Sequence, residues 1–579
     1  MQSFGKSLCY LMLGLLILAL VGLTPGAEED PVQRYFKSLA PASLEQPIQP
    51  QALGSEENVM IPMRDGVRLA ATIYKPMFPK PQMPVILVRS PYDRSSVDLT
   101  KYLLLLQDYI LVAQDARGRF GSEGEDRVFQ DDGWGELQDG YDTIEWIAAQ
   151  PWCNGKVGTW GPSALGIAQG MAAGAVPPHL VCQLITFAPA RGYGETAYQG
   201  GVYRKALIEG WLTKNNSTHM IPIYQAHPTF DSFWEIYDIA SRFPLINVPC
   251  LFIGGWYDCF QQGTLDSFVG RQTLGAEGAK GNQRLVVGPW THVNEFEAKQ
   301  GELTYPSNSI YTEEIFLTLD WFAYWLLGKS NGAMDGPPVK YYVMGDSGNA
   351  STAGNIWKTS ETWPPFEQTV PFYLTPQAGL ATTPPSMDGS LPLLLDPQNP
   401  VPTQGGQNLE IPAGPFDQRT LESRNDVLVF TTPVLEKPLE ITGRIKAVLY
   451  ASSILPDTDL AVRLTDVYPD GRSMLVTDGI LRASFRDSWS NPEPITPGAI
   501  YRYEIDLWSS SIVFDPGHQV RVIVSNTNYP RFDLNPVYQQ IDSGVTAATQ
   551  IHMSPVYPSH ILLPTQSEGP VSIEDWFMQ

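Results

Sequence analysis

The sequence predicts a chain in two parts, a mostly parallel α/β sheet with helices on both faces and then an antiparallel β-sandwich. Three observations predict it. In the first half, short runs such as "PVILVRS", "YILVAQD", "CLFIGGW" and "RLVVGPW" are apolar throughout and alternate with helical stretches, as in a sheet covered on both faces. One such stretch, "KVGTWGPSALG", carries a lone serine between glycines where a strand gives way to a helix. Beyond "FLTLDWFAYWLLGKSNG" (Phe316 to Gly332) helical periodicity stops and prolines multiply. Alternating runs such as "VKYYVMG", "DVLVFTT", "RIKAVLYASS" and "QVRVIVSNT" then take over.

Taken in order, Lys6 precedes the apolar run Leu8 to Leu23, and small residues up to Ala27 lead into Glu28-Glu29-Asp30. This is the layout of a secretory signal peptide over residues 1–27, which predicts a secreted or periplasmic protein. An uncleaved membrane anchor is the rival reading. No later segment is apolar enough to span a bilayer, so no further membrane contact is expected. Residues 28–56 read as an extended, proline-spaced lead-in. "NVMIPMRDGVRLAATIYKP" gives two alternating runs across Asp65-Gly66, a hairpin signal that opens a domain over 57–335. "DGYDTIEWIAAQ" reads as an amphipathic helix. Residues 190–247, rich in Tyr, Trp and polar groups, are too long for a crossover and predict an inserted helical cap. The boundary falls near Gly336, in "MDGPPVK", and 336–579 is assigned to the β-sandwich, of jelly-roll type.

Composition narrows the function classes. A chain of 579 residues, 43% hydrophobic and 11% aromatic, exceeds one ordinary core and is not a disordered protein. A net charge of −23 argues against nucleic acid or anionic membranes as partners. Cys153, Cys182, Cys250 and Cys259 follow the leader with no paired metal-type spacing, so no metal site is expected. Buried free thiols are favoured over a disulfide, although Cys182 and Cys250 fall on strands that can be neighbours.

The chemistry is carried by Ser163. A strand that ends in Gly-x-Ser and turns at once into a helix holds the serine on a tight turn, with its hydroxyl above the sheet. A β-carbon at Gly161 would obstruct the packing of strand on helix, and the N–H of Ala164 points to where negative charge develops in acyl transfer. The spacing here is Gly-x-Ser-x-x-Gly, with Leu165 in the place of the commoner glycine. A serine needs a base and the base needs an orienting acid, in chain order Ser, acid, His after successive strands. "CLFIGGWYDCF" places Asp258 just past one buried strand and "RLVVGPWTHVN" places His292 just past the next.

Together "RSPYDR", "DARGRFGSEG", "WIAAQPWCNGKVGTWGPSALG", "GGWYDCF" and "GPWTHVN" resemble the cocaine esterase / X-prolyl dipeptidyl peptidase family of α/β hydrolases, and the resemblance runs through the whole mature chain. It implies Ser163 as nucleophile, Asp258 as triad acid and His292 as general base, with the Tyr92 hydroxyl and the Ala164 N–H as oxyanion hole. Two departures matter. The family usually has Tyr after the serine, where this chain has Ala164. Relatives that hydrolyse α-amino acid esters carry two acids just after the triad Asp to bind an ammonium, where this chain has Phe260 and Gln261. Glu195 is the one cap carboxylate considered for that role, a solvated cap residue being the plainer reading. Phe260 and Trp160 suggest an apolar or aromatic acyl pocket, although core packing accounts for either one equally well.

The leading expectation is therefore an exported serine hydrolase that cleaves a carboxylic ester or amide, or a short peptide, through an acyl-enzyme, with no cofactor required. An X-Pro dipeptidyl peptidase is the alternative within the enzyme class. A catalytically silent protein that binds through its jelly roll is the alternative outside it. A homo-oligomer is left open.

Overall fold

Strands β1 (Gly54–Pro62) and β2 (Arg68–Pro76) form the hairpin expected about Asp65-Gly66. Gly66 supplies the left-handed residue of the turn (φ 88°), and the Asp65 carboxylate accepts from the Val67 N–H at 3.1 Å. This is the start of a computed structural model that describes residues 54–96, 104–541 and 546–565. The leader over 1–27, and the lead-in as far as residue 53, lie outside the described residues.

The apolar runs become β3 (Met83–Ser90), β4 (Ile110–Asp115), β5 (Cys153–Pro162) and β6 (Leu180–Thr186). A small hairpin, β7 (Tyr198–Gln199) and β8 (Val202–Tyr203), stands apart, and β9 (Cys250–Tyr257) and β10 (Arg284–Thr291) return to the main sheet. Every residue of β3, β4 and β9 is buried, which is why these strands read as continuous apolar runs. The ten-stranded sheet is completed by Val339–Val343 and Ile356–Ser360, and its interior pairings, from β4 across to Val339–Val343, are all parallel. Helices Asp139–Ala148, Ala164–Gly174, Gln261–Leu274 and Glu314–Leu327 cover it.

One boundary differs from expectation. "VKYYVMG" was placed in the β-sandwich, yet Val339 pairs with Leu285 and Tyr341 with Val287 in parallel register. Val339, Tyr341, Tyr342 and Val343 are all buried, because this strand covers β10 on one edge while Met344 bonds to Ser511 of the following domain. The β-rich domain, whose first residues extend the ten-stranded sheet, has its own sheets after Ser360. It consists of a seven-stranded and a four-stranded antiparallel sheet whose inner faces share one apolar core, with Leu449, Leu464, Ile505 and Val522 fully buried.

The segment between β6 and β9 forms the cap. It contains a π-helical turn (Gly192–Ala197), the β7–β8 hairpin, helices Lys205–Lys214, Met220–Ala226 and Ser232–Glu235, and a 3-10 stretch Ile239–Leu245. Its interior is an aromatic stack of Tyr193, Tyr198, Tyr224, Trp234 and Tyr237. The "DARGRF" motif ties these layers together. Arg117 bonds buried Asp139 at 2.6 Å, and Arg119 reaches Asp126 at 3.0 Å and the cap's Ser217 at 3.1 Å. Cys182 and Cys250 do lie on adjacent strands, and all four described cysteines are buried free thiols.

Candidate active site

Ser163 ends β5 in a conformation that L-residues rarely adopt (φ 57°, ψ −123°), and the helix Ala164–Gly174 starts at the next residue. The turn is held by close packing. A β-carbon on Gly161 would lie 2.6 Å from the Leu165 β-carbon, and one on Gly166 would lie 2.7 Å from the Ala188 β-carbon. The hydroxyl is thereby fixed above the carboxyl end of the parallel sheet.

Asp258 and His292 follow β9 and β10, neighbouring parallel strands on which Tyr257 and Thr291 are register partners. Residues one step past each strand therefore emerge side by side. His292 Nδ1 lies 2.6 Å from Asp258 Oδ1, and Nε2 lies 2.8 Å from Ser163 Oγ. With the Nδ1 proton donated to the carboxylate, Nε2 is left as the acceptor of the serine proton. The ring stands between the edges of Phe187 and Phe260, at centroid distances of 5.7 and 5.6 Å. Burial opposes charge on His292, but Cys259 and the Asp258 carboxylate favour it more strongly, so its pKa stands well above the ordinary histidine value.

Tyr92 sits just beyond β3 and faces the same space, its backbone N–H bonded to Ser90 Oγ at 3.0 Å. Trp211 of the cap donates its indole N–H to the Tyr92 oxygen at 2.9 Å. That contact leaves the phenol proton to point elsewhere. Burial raises the Tyr92 pKa and the Trp211 bond partly offsets the rise, so the hydroxyl stays a neutral donor.

Two cavities meet at Ser163. A narrow one of about 60 Å³ is lined by Ser163, Ala164, Leu207, Ile208, Trp211 and Phe260, with Arg191 its one charged lining residue among the described residues. A wider one of about 630 Å³ contains Tyr92, Trp160, His292, Lys214 and Glu410. Trp160 thus lies on the opposite side of the serine from Phe260. Both were candidates for an acyl pocket; Trp160 comes from the strand before Ser163 and Phe260 from the turn after Asp258, and only Phe260 reaches the narrow cavity.

Glu195 also differs from both readings given for it. It is buried, and its oxygens accept from the Ala190 and Arg191 backbone N–H groups at 2.7 and 2.9 Å and from Arg191 Nη1 at 2.8 Å. A carboxylate consumed in this way is neither solvated nor offered to a ligand. Trp211, Leu409 and Glu410 were not anticipated. Leu409 lines both cavities and Glu410 the wider one, from a loop of the β-rich domain, with Glu410 paired to Lys214 of the cap. No local pattern marks these residues, because only the packing of the β-rich domain against the cap brings them to the serine.

Comparison with known proteins gives a family. The profile described as X-Pro dipeptidyl-peptidase (S15 family) matches residues 65–222 and 214–294, and that of the X-Pro dipeptidyl-peptidase C-terminal non-catalytic domain matches 331–562. Cocaine esterase of Rhodococcus sp. (strain MB1 Bresler) is 34% identical over 589 aligned residues, covering 88% of this chain and 98% of the esterase. The chain belongs to the cocaine esterase / X-prolyl dipeptidyl peptidase family of α/β hydrolases. The protein is accordingly a serine hydrolase. Two solved structures agree in architecture. An α-amino acid ester hydrolase is 26% identical with a TM-score of 0.74, over 88% of this chain and 96% of its own. An aminopeptidase from the marine sediment archaeon Thaumarchaeota archaeon is 24% identical with a TM-score of 0.77, over 93% and 99%, a likeness of fold.

Proposed function

We propose that this serine hydrolase is an exported esterase for short apolar acyl groups, acting through an acyl-enzyme on Ser163. The observation that carries the reading is the hydrogen-bonded line Asp258–His292–Ser163 ending where a narrow apolar cavity meets a wide one that also holds Lys214 and Glu410. In this reading His292 Nε2 takes the Ser163 proton as Oγ attacks the ester carbonyl, and Asp258 balances the imidazolium. The Tyr92 hydroxyl and the Ala164 N–H hold the oxyanion. The imidazolium then protonates the departing alkoxide, which leaves through the wide cavity, and water admitted by the same route is activated by His292 to free the acid.

The narrow cavity sets the acyl group. Its volume of about 60 Å³ is well below the ~150 Å³ of an apolar cavity that accepts benzene, so it suits a short aliphatic chain. A dipeptidyl peptidase must bind a free ammonium. Here Phe260 and Gln261 replace the acids of the amino-ester hydrolases, Glu195 is consumed, and the charged residue of the narrow cavity is itself a cation, Arg191. These observations favour the ester reading. Export rests on the leader-like residues 1–27, and cell fractionation that finds the protein inside the cytoplasm would reject it.

The direct test sets 4-nitrophenyl acetate and butyrate against an X-Pro anilide. Turnover of the esters at least about a hundred-fold above the anilide supports the proposal, since a missing ammonium partner is worth several kcal/mol of discrimination. A fluorophosphonate probe should label the wild type and not Ser163→Ala. Preference for the anilide returns the reading to the peptidase, and absence of labelling returns it to the silent binding protein.

A further inference from the structure

The imidazole of His292 has a neighbour that ester hydrolysis does not use. Cys259 directly follows the triad acid, and its Sγ lies 3.6 Å from His292 Nδ1, the nitrogen that meets Asp258 Oδ1 at 2.6 Å. Donor atoms of Asp258, Cys259 and His292 all lie within 4.8 Å of one another. Asp258 and Cys259 are fully buried, and Asp258 Oδ2 has no hydrogen-bond partner among the described residues. A thiol, an imidazole nitrogen and a carboxylate oxygen are the donor types that zinc selects.

The spacing can be tested against coordination geometry. Bonds of ~2.3 Å to sulfur and ~2.05 Å to nitrogen at a tetrahedral angle separate the two donors by about 3.5 Å. Cys259 and His292 already stand at that separation. The corresponding nitrogen-to-oxygen distance is about 3.3 Å, so the carboxylate must open by roughly 0.7 Å or turn its second oxygen inward. That second oxygen is the unpartnered Oδ2.

We propose that Asp258, Cys259 and His292 form a site for a thiophilic divalent cation, Zn²⁺ or Cd²⁺, whose occupation switches the hydrolase off. The ion bonds to Nδ1, to the Cys259 sulfur and to an Asp258 oxygen, with water in the fourth position. The thiol proton leaves to solvent, and the imidazole proton moves from Nδ1 to Nε2, so the ring stays neutral. With Nε2 protonated, His292 donates toward Ser163 and cannot take its proton. The ion reaches the site past the imidazole from the wide cavity, so inhibition develops with time. Binding stands on the donor geometry; its inhibitory effect rests on the triad reading.

The experiment separates the two. Ser163→Ala, which needs no turnover, is titrated with Cd²⁺ while sulfur-to-cadmium charge-transfer absorption is followed in the ultraviolet. One Cd²⁺ per chain is expected, with no band from Mg²⁺ or Ca²⁺, and the band disappears in Ser163→Ala/Cys259→Ser. In esterase assays Cd²⁺ silences the wild type and a chelator restores it. Cys259→Ser, normalised to its own metal-free rate, requires about ten- to a hundred-fold more Cd²⁺. A Ser163→Ala chain without the band, a band that persists in the double variant, or equal Cd²⁺ sensitivity of Cys259→Ser overturns the proposal. Should Cys259→Ser not fold, the Ser163→Ala band and its absence with Mg²⁺ and Ca²⁺ still decide whether the site exists. An intact band in a chain that hydrolyses no ester would refute the esterase and leave the site standing.

Discussion

Replacing Tyr92 by phenylalanine tests the oxyanion hole at a single atom. The ring and its edge contact with Trp211, at a centroid distance of 6.4 Å, are retained, while the hydroxyl is lost. One preorganised donor to an oxyanion is worth about 2.7–4 kcal/mol, so kcat on an activated ester should fall about a hundred- to a thousand-fold with KM little changed. The structure supplies an internal control in Trp211, which bonds to the same phenol oxygen from behind. Donation to that oxygen strengthens the hydrogen bond the phenol itself donates by roughly 10–30%. Applied to ~3 kcal/mol, this is about 0.3–0.9 kcal/mol, so Trp211→Phe should lower kcat only about two- to five-fold. Stopped-flow acylation with 4-nitrophenyl acetate reads both. Acylation by Tyr92→Phe within about three-fold of wild type would remove the phenol from the hole. Equal losses in the two variants would reassign Tyr92 to packing.

Three other outcomes are expected. Because the His292 pKa stands above the ordinary value, and only the neutral ring can take the Ser163 proton, kcat/KM should rise with pH through a midpoint above 6.5; a midpoint at or below 6.5 in a pH–rate profile contradicts the Asp258 pairing. Arg117→Ala strands the buried Asp139 carboxylate and should cost about 3–5 kcal/mol in urea unfolding, an effect that a solvated ion pair would not show. Ile208→Ala enlarges the narrow cavity, so the rate on benzoyl relative to acetyl esters should rise at least about ten-fold. An unchanged ratio would place the acyl group elsewhere.

Much of the site was legible because it sits on elements with strong local rules. β3, β4 and β9 are buried along their whole length, so their apolar runs locate the sheet, and triad positions follow from strand ends. The elbow is equally local, since Gly161 and Gly166 stand where a β-carbon would collide. Val339–Val343 was misplaced because its sequence resembles the alternating strands after it, while its partner, β10, lies fifty residues back. Which of the two cavities Trp160 and Phe260 line was not legible, because strand position alone does not say which of two cavities a side chain enters. Leu409 and Glu410 were invisible for a different reason: their place depends on how the β-rich domain docks on the cap.

The burial of Asp258 ties these features to catalysis. One of its oxygens bonds His292 and the other has no hydrogen-bond partner, in a shell that includes Phe187 and Phe260 against the imidazole. In the active form, populated as pH rises through the His292 pKa, the imidazole is neutral and offers the carboxylate a single hydrogen bond. When Ser163 attacks, the ring becomes a cation 2.6 Å from that carboxylate, where little water screens the pair. The attraction is therefore far greater in the transition state than before it, which is the condition for a contact to raise kcat and not merely to tighten binding. Supplying Asp258 with a second donor would stabilise the resting carboxylate and reduce that difference. A hydrogen-bonding residue engineered against Oδ2 should accordingly slow acylation while leaving the fold intact, and acylation that is unaffected or faster would show that the bare oxygen contributes nothing to the chemistry.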